Sequence, residues 1–316
     1  MATILLLTHR LDYVTGDHAL VPDRRRNRAS AADRHLAARR LSAAELDLPS
    51  HHLITAILAR LLRRGHAVWL AQGVPSSVPE VDAAILHGDA TVVDADLVEF
   101  ARTLPKVMNL AITDIGKRRI SDAAIWRSPD WTGPVMIKAN RNYAGRPEVA
   151  ANRRAEQLGL PLPYPGAVAY ENYRILSEAA QLSEFERNSA ELSIERFVPE
   201  IDPAGFAIRH WLFCGRRGYC SRYVAADPVI KGQNLISRSV VEVPEAIIER
   251  RRSLGLEYGK LDFVVVNGRA YLLDANKTPG AVPRSLPDYA QKLECLADGL
   301  EEWLQSGVPG PSACQQ

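Results

Sequence analysis

Cysteine is scarce and scattered in this 316-residue chain. The four present, Cys214, Cys220, Cys295 and Cys314, lack the paired spacing of a metal site. An excess of one charge is missing too. The 39 basic and 37 acidic side chains leave a net charge of +2. That balance gives no electrostatic case for nucleic acid or a membrane as partner. No apolar run reaches membrane-spanning length, and the N-terminus has no signal-peptide pattern. The expected compartment is therefore the cytoplasm. Internal repeats and long low-complexity segments are absent as well.

What remains is the make-up of a globular protein, 47% hydrophobic and 24% charged. The length exceeds one compact core of ordinary size, so two or three subdomains are expected. In the N-terminal third, Ala2 to Thr8 reads as a buried parallel strand. Ser50 to Arg64 reads as a helix capped by Ser50, with Leu53, Ile54, Ile57, Leu58, Leu61 and Leu62 as its apolar stripe. Gly65 ends it. Ala67 to Leu70, Val81 to Leu86 and Lys106 to Leu110 follow as strands. This β-α-β order predicts a small open α/β layer, with ligands beyond the carboxyl ends of its strands. His9, Asp12, His87 and Asp89 stand there as candidate pocket residues, against the plainer reading of polar loop residues. The basic run Arg24, Arg25, Arg26 and Arg28 reads as a solvated face, or as a lid collecting an anionic substrate.

The most informative stretch is Gly259 to Gly280, GKLDFVVVNGRAYLLDANKTPG. It reads as a hairpin turning at Asn267-Gly268. A two-residue loop would pair Val266 with Arg269 and put Asp262 and Asp274 on opposite faces. A three-residue loop ending in a bulge would pair Val265 with Arg269 and put both acids on one face. Lys260 and Asn276 then join them by the period of two. Two carboxylates and an amide oxygen make an all-oxygen site suited to Mg²⁺.

The middle third supplies cations. Gly133 to Asn140 is expected as a strand carrying Lys138, followed by a loop with Gly145 and a helix from about Pro147 to Leu158. Strand, loop and helix in that order can cover phosphates with backbone N–H groups. Leu192 to Glu200 reads as a further strand. Phe206 to Phe213 follows, carrying Arg209, then a short strand at Val229 to Lys231. Arg209 and Lys231 would point at a γ-phosphate or a carboxylate, or stand as surface cations. A helix from Val243 to Leu254 and a closing helix from Pro287 to Leu304 complete the reading.

The 259–280 stretch resembles the closing motif of the ATP-grasp superfamily. That motif is an acid after a basic residue, a turn, then Glu/Asp-x-Asn and a Pro-Gly exit. Asp274 stands where many members have Glu. The resemblance implies Asp262, Asp274 and Asn276 as ligands of Mg²⁺ or Mn²⁺. It implies Lys117 and Lys138 at the ATP phosphates and Gly145 in a phosphate lid. It also implies Glu195 and the Val198 backbone at adenine, and Glu200 or Asp202 at the ribose.

The architecture expected from the resemblance is α/β in three parts. An N-terminal layer covers 1–115, a nucleotide lid 116–195 and a C-terminal subdomain 196–306, with a tail at 307–316. The implied function is an ATP-dependent carboxylate–amine or carboxylate–thiol ligase with small-molecule substrates, and a homodimer is the assembly considered. Lys260, with Arg209 as a second cation, would meet the substrate carboxylate. The alternatives are a small-molecule kinase acting on a hydroxyl, which would need a general base, and a nucleotide-binding scaffold without turnover.

Overall fold

The computed structural model describes residues 1–12, 37–48, 50–283 and 286–306. The arginine run at 24–28 and the expected tail at 307–316 lie outside them. The first layer holds β1 (Thr3–Thr8), β2 (Arg39–Arg40), α1 (Ala43–Asp47), α2 (Leu53–Arg63), β3 (Ala67–Gln72), β4 (Ala83–Leu86), α3 (Ala95–Ala101) and β5 (Val107–Met108). Its strands run in the order β2-β3-β1-β4-β5. All pairs are parallel except β2 with β3. The run Ile4 to Leu7 is wholly buried, as a central parallel strand covered on both faces requires.

Helix α2 buries Leu53, Ile54, Ile57, Leu58 and Leu61. Ser50 does not cap it. Its Oγ accepts from the His52 N–H at 3.1 Å, and the helix begins only at Leu53. The Leu53 N–H instead donates to the carbonyl of Pro279, beyond the distant hairpin.

The middle layer contains α4 (Lys117–Ile120), β6 (Val135–Ala139), α5 (Arg146–Leu158), β7 (Arg174–Leu176), α6 (Glu184–Asn188) and β8 (Leu192–Arg196). Its antiparallel sheet has the order β7-β6-β8. Val135 and Ile137 pack with Ala179, Leu182 and Leu192. Alternation along β6 turns Lys138 to the other face.

The last layer adds β9 (Glu200–Asp202), β10 (Gly205–Cys214), β11 (Arg217–Ala225), β12 (Leu235–Val240), α7 (Glu245–Leu254), β13 (Tyr258–Val266), β14 (Arg269–Asn276) and α8 (Tyr289–Gln305). Its main path is β12-β11-β10-β13-β14, with β9 also on β10. The strand expected at Val229 to Lys231 is absent. Those residues lead into a turn, and the strand forms at Leu235–Val240.

The hairpin turn differs from the loop that the same-face argument used. Val266 pairs with Arg269, closing a two-residue turn in which Asn267 (φ 51°) and Gly268 (φ 77°) are both left-handed. Pairing stays regular down to Phe263 with Leu272, then shifts so that Asp262 faces Asp274. Leu273 is the extra residue of this bulge. Because side chains alternate with period two, one added residue exchanges the faces of everything beyond it. Lys260, Asp262, Asp274 and Asn276 therefore share a face, while Leu261, Phe263, Leu272 and Ala275 enter the core behind it. The shared face was expected, but a mid-strand bulge produces it rather than the turn.

Helix α8 joins first and last layers. Leu293, Leu296, Ala297 and Leu300 pack with the apolar face of α2 and with Leu212, Cys214 and Tyr258. Arg64, at the end of α2, reaches Glu294, Asp298 and Glu301 of α8 at 2.6–2.8 Å. Among the described residues, no helix is long and apolar enough to cross a membrane.

Gly299 sits inside α8, where the helix backbone meets the β10–β11 turn. Alanine would ordinarily favour a helix over glycine by about 1 kcal/mol. Here a Cβ would overlap the Cys214 carbonyl oxygen. Gly299→Ala should therefore destabilise the protein, by about 1–3 kcal/mol, in urea unfolding. A stabilised variant would show that α8 can retreat from β10 at no cost.

Candidate functional site

Cross-strand register lays the site out in rows on one sheet face. Asn276, Lys260, Leu212 and Tyr219 pair in turn across β14, β13, β10 and β11. The neighbouring same-face row is Asp274, Asp262, His210 and Ser221. The Lys260 Nζ donates to Asp262 Oδ2 at 2.9 Å, and His210 Nε2 lies 3.6 Å from Asp262 Oδ1. Burial alone would raise the Asp262 carboxyl, but His210 and Lys260 outweigh it and hold it below the usual range. Burial works against Lys260 too, and Asp262 more than compensates, leaving the ammonium above its ordinary value.

Two more lysines come from the middle layer. Lys117, at the start of α4, places Nζ 3.3 Å from Asp274 Oδ2 and donates to the Arg141 carbonyl at 3.0 Å. Lys138 on β6 lies 2.7 Å from Glu195 Oε2 on β8 and 3.5 Å from the carbonyl oxygen of Leu273. The bulge residue thus offers its carbonyl to this ammonium. Both lysines are buried, at 3% and 6% exposure. Burial pulls Lys138 down, yet Glu195 and Asp274 together hold it above its ordinary value. Burial raises Glu195, and the attraction of Lys138 does not fully cancel it because Asp274 repels. Three lysines and three carboxylates thus balance one another around the acid face.

Several expected residues fall elsewhere. Arg209 neighbours His210 on β10, so it points through the opposite face and does not join Lys260. There it bonds both oxygens of Glu200, at 3.0–3.3 Å. Glu200 also accepts from Arg222 Nε and the Val265 N–H, while Asp202 pairs with Arg222 at 2.8 Å. Glu200, Arg209, Arg222 and Asp202 form an ion-pair cluster of their own. Val198 lies between β8 and β9. Lys231 stands exposed in the turn before β12, with Glu171 as a charged neighbour. Gly145 (φ +84°) caps α5, and a Cβ there would sit 2.7 Å from the Val168 carbonyl oxygen. The two residues before it, Tyr143 and Ala144, are also left-handed, a strained run for non-glycine residues.

His210 was missed in the sequence reading. The alternation rule would have found it: if Asp262 faces the cleft, only one of Arg209 and His210 can share that face. Burial, against the pull of Asp262, lowers His210 to about 4.

The N-terminal candidates do meet, close to the exit of the hairpin. The Asp89 N–H donates to Asp12 Oδ2 at 3.1 Å, and Thr278 Oγ1 donates to Asp89 Oδ1 at 2.6 Å. His9 Nε2 lies 3.1 Å from Asp94. His87 is fully buried with neither ring nitrogen bonded, edge-on to His52 at 5.0 Å. Burial and the adjacent His52 hold His87 well below its ordinary value. Lys277, also unforeseen, is buried with Nζ on the carbonyls of Ala90 and Thr91, and burial pulls it down to about 8. Residues 279–281 pair with 51–53 through two backbone hydrogen bonds, Leu53 N–H to the Pro279 carbonyl and Ala281 N–H to the His51 carbonyl, which make the antiparallel His52–Gly280 bridge.

Among the described residues, no group of three or more His, Cys, Asp or Glu side chains converges as a metal cage. The acid face nonetheless fits a hard cation that takes few protein ligands. Asp262 and Asp274 stand directly opposite, and Asp262 Oδ1 is buried without a hydrogen-bond partner. Asn276 Oδ1 already accepts from the Thr278 N–H at 2.8 Å, so the two carboxylates carry the fit.

No family model matches the chain, and no curated protein does. Solved structures similar to it include the ATP-grasp ligase PsnB with its minimal precursor, at 14% identity and TM-score 0.47, covering 96% of this chain and 99% of that one. Another is D-alanine–D-alanine ligase from Bacillus anthracis, at 13% identity and TM-score 0.45, covering 96% and 98%. A third is the macrocyclase MdnC from Microcystis aeruginosa with its precursor peptide, at 13% and 0.38, covering 93% and 99%. Likeness at this distance decides neither fold nor chemistry, which rest on the geometry above.

Asp12 gives a pH signature. Burial first, then the Asp89 carboxylate, push its carboxyl from 3.8 up to about 6. A raised carboxyl pKa means that the folded state holds the proton more tightly. Its contribution is full below about pH 4 and lost as pH rises through about 6. Asp12→Asn has no proton to lose. In urea unfolding it should gain about 1–3 kcal/mol on the wild type between pH 4.5 and 7.5. A difference that stays constant over that range would contradict the buried-carboxyl account.

Proposed function

We propose that this protein is an ATP-dependent ligase of the ATP-grasp type, joining a carboxylate to an amine or thiol. The observation that carries the reading is one convergence. Lys117 from the middle layer and Lys260 from the sheet meet two carboxylates that face each other, Asp262 and Asp274, and Lys138 stands beside them, paired with Glu195 and 3.5 Å from the Leu273 carbonyl oxygen. A buried cluster of charges of this density, lying between two sheets, supports a site for a highly charged ligand.

In this reading ATP lies between the three-stranded sheet and the acid face. Lys117 and Lys138 act as point charges on its phosphates, and each exchanges its present carboxylate partner for a phosphate oxygen. Asp262 and Asp274, with Asn276 beside them, would hold Mg²⁺ or Mn²⁺. When bound, the metal supplies neutralising charge to the phosphate oxygens. The Val198 backbone and the Glu195 side chain, released when Lys138 turns to the phosphates, serve adenine. Of the two acids considered for the ribose, Glu200 is held by two arginines and a backbone N–H and Asp202 by Arg222, so neither is assigned to it.

Lys260 draws the substrate carboxylate toward the triphosphate and offsets their repulsion. A carboxylate oxygen attacks the γ-phosphorus, and ADP leaves with the electron pair of the broken P–O bond. The amine or thiol then attacks the acyl carbon and loses its proton as phosphate departs with the C–O pair. The protein contributes positioning and electrostatics, with no covalent enzyme intermediate.

Asp274→Asn should fold normally by circular dichroism and lower ADP release by about a hundredfold or more. Near wild-type turnover would remove the acid face from the reaction.

A second test addresses the chemistry. An ADP-release screen over amino acids, small peptides and hydroxy acids identifies an acceptor, and hydroxylamine is then added with ATP. A hydroxamate should form, with ADP and phosphate in equal amounts. A stable phosphorylated product without free phosphate would establish a kinase instead.

A further inference from the structure

Beside the acid face, toward the start of α8, lies a pocket of ≈ 200 Å³. Its floor continues the same sheet face. Lys260 and Tyr219 belong to one cross-strand row with Leu212 between them, and Arg238 of β12 pairs with Tyr223 of β11. Helix α8 contributes Lys292, and residues 279–283 form an apolar wall. Apart from Lys260 and Asn276, nothing here is used by the nucleotide or the metal in the reading above. A larger hollow of ≈ 470 Å³ beside Arg40 and His66 is lined by none of the site residues.

The charges of the pocket do not balance. Lys260 is matched by Asp262. Among the described residues, Arg238 and Lys292 share a single acid, Asp288, whose Oδ2 lies 3.4 Å from the first and 2.7 Å from the second. Arg238 is further fixed by donating to Ser221 Oγ at 3.1–3.2 Å. Lys292 is 7% exposed and lies 4.7 Å over the Tyr219 ring. The Tyr219 hydroxyl is buried and has no hydrogen-bond partner. Two oriented cations, one acid and an unsatisfied hydroxyl together form a receptor for one more carboxylate.

We infer that the acceptor is a small dicarboxylate, with one carboxylate at Lys260 and the other held by Arg238, Lys292 and the Tyr219 hydroxyl. The span is right for it. Strands β13 and β11 are two spacings apart, about 10 Å, a separation that a short-chain diacid with a hydrogen bond at each end can bridge. The inference rests on the ligase reading only for which carboxylate reacts.

The test is calorimetry on the full chain with malonate, succinate, glutarate and adipate, and with butyrate as the monoacid control. The Mg²⁺ complex of a non-hydrolysable ATP analogue is titrated separately. At least one diacid should bind about tenfold or more tighter than butyrate. Tyr219→Phe, which removes one oxygen and keeps the ring, and Lys292→Met should each weaken that diacid by about tenfold. Both should leave the nucleotide analogue unaffected. If Lys292→Met fails to fold, Tyr219→Phe alone decides. No diacid binding, equal binding of butyrate, or unchanged diacid affinity in Tyr219→Phe would overturn the inference. Diacid binding by a wild type that ignores the nucleotide analogue would support the pocket and defeat the ligase reading instead.

Discussion

Two carboxylates directly opposite on neighbouring strands repel, and burial makes the repulsion worse. The Asp262–Asp274 pair imposes that constraint here, and much of the molecule answers it. Lys260 balances Asp262 from the same strand. Lys117 reaches Asp274 from another layer. Lys138, under the carbonyl of the bulge residue, adds a third positive charge and brings Glu195 with it. The middle layer is thus held against the last one by ion pairs around the acids as well as by Ile120 of α4, which enters the apolar core behind β13 and β14. The paired side chains of such a cleft can exchange internal partners for a charged ligand.

The bulge at Leu273 decides whether that constraint exists at all. A regular hairpin with the observed two-residue turn would send Asp262 and Asp274 to opposite faces. The sequence announces the turn clearly, through Asn267-Gly268. Nothing local announces the bulge, because Leu273 is a leucine like Leu272 before it and its displacement depends on packing of both faces. The same-face arrangement was therefore legible from the polarity pattern, and its cause was not. The N-terminal strands were legible for a simpler reason: buried parallel strands appear as unbroken apolar runs.

Errors and omissions elsewhere have similar origins. Ser50 reads as a cap because capping is a local signal, whereas Leu53 takes its acceptor from Pro279. Arg209 looks like a site residue by charge alone, yet the register gives the cleft to His210. The strand placed at Val229 to Lys231 formed a few residues later, where Leu235 to Val240 is half polar and follows a turn. Tyr219, Arg238 and Lys292 were invisible because they come from two strands and a helix that meet only in the folded chain. Long-range convergence of this kind leaves no periodic trace in sequence.

The strap between α2 and α8 has a consequence for how the chain is made. Arg64 and Glu301 are 237 residues apart in sequence, and the part of the apolar face of α2 that its own sheet leaves open is covered by α8. During synthesis from the N-terminus, that face emerges long before its cover exists. Residues 51–53 likewise wait for residues 279–281. The first layer must spend most of translation with an exposed hydrophobic stripe, a state prone to sticking and one that chaperones recognise. Closing such distant contacts is also slow in an isolated chain. Assembly of the acid face and burial of that stripe are thus late steps in the birth of the molecule.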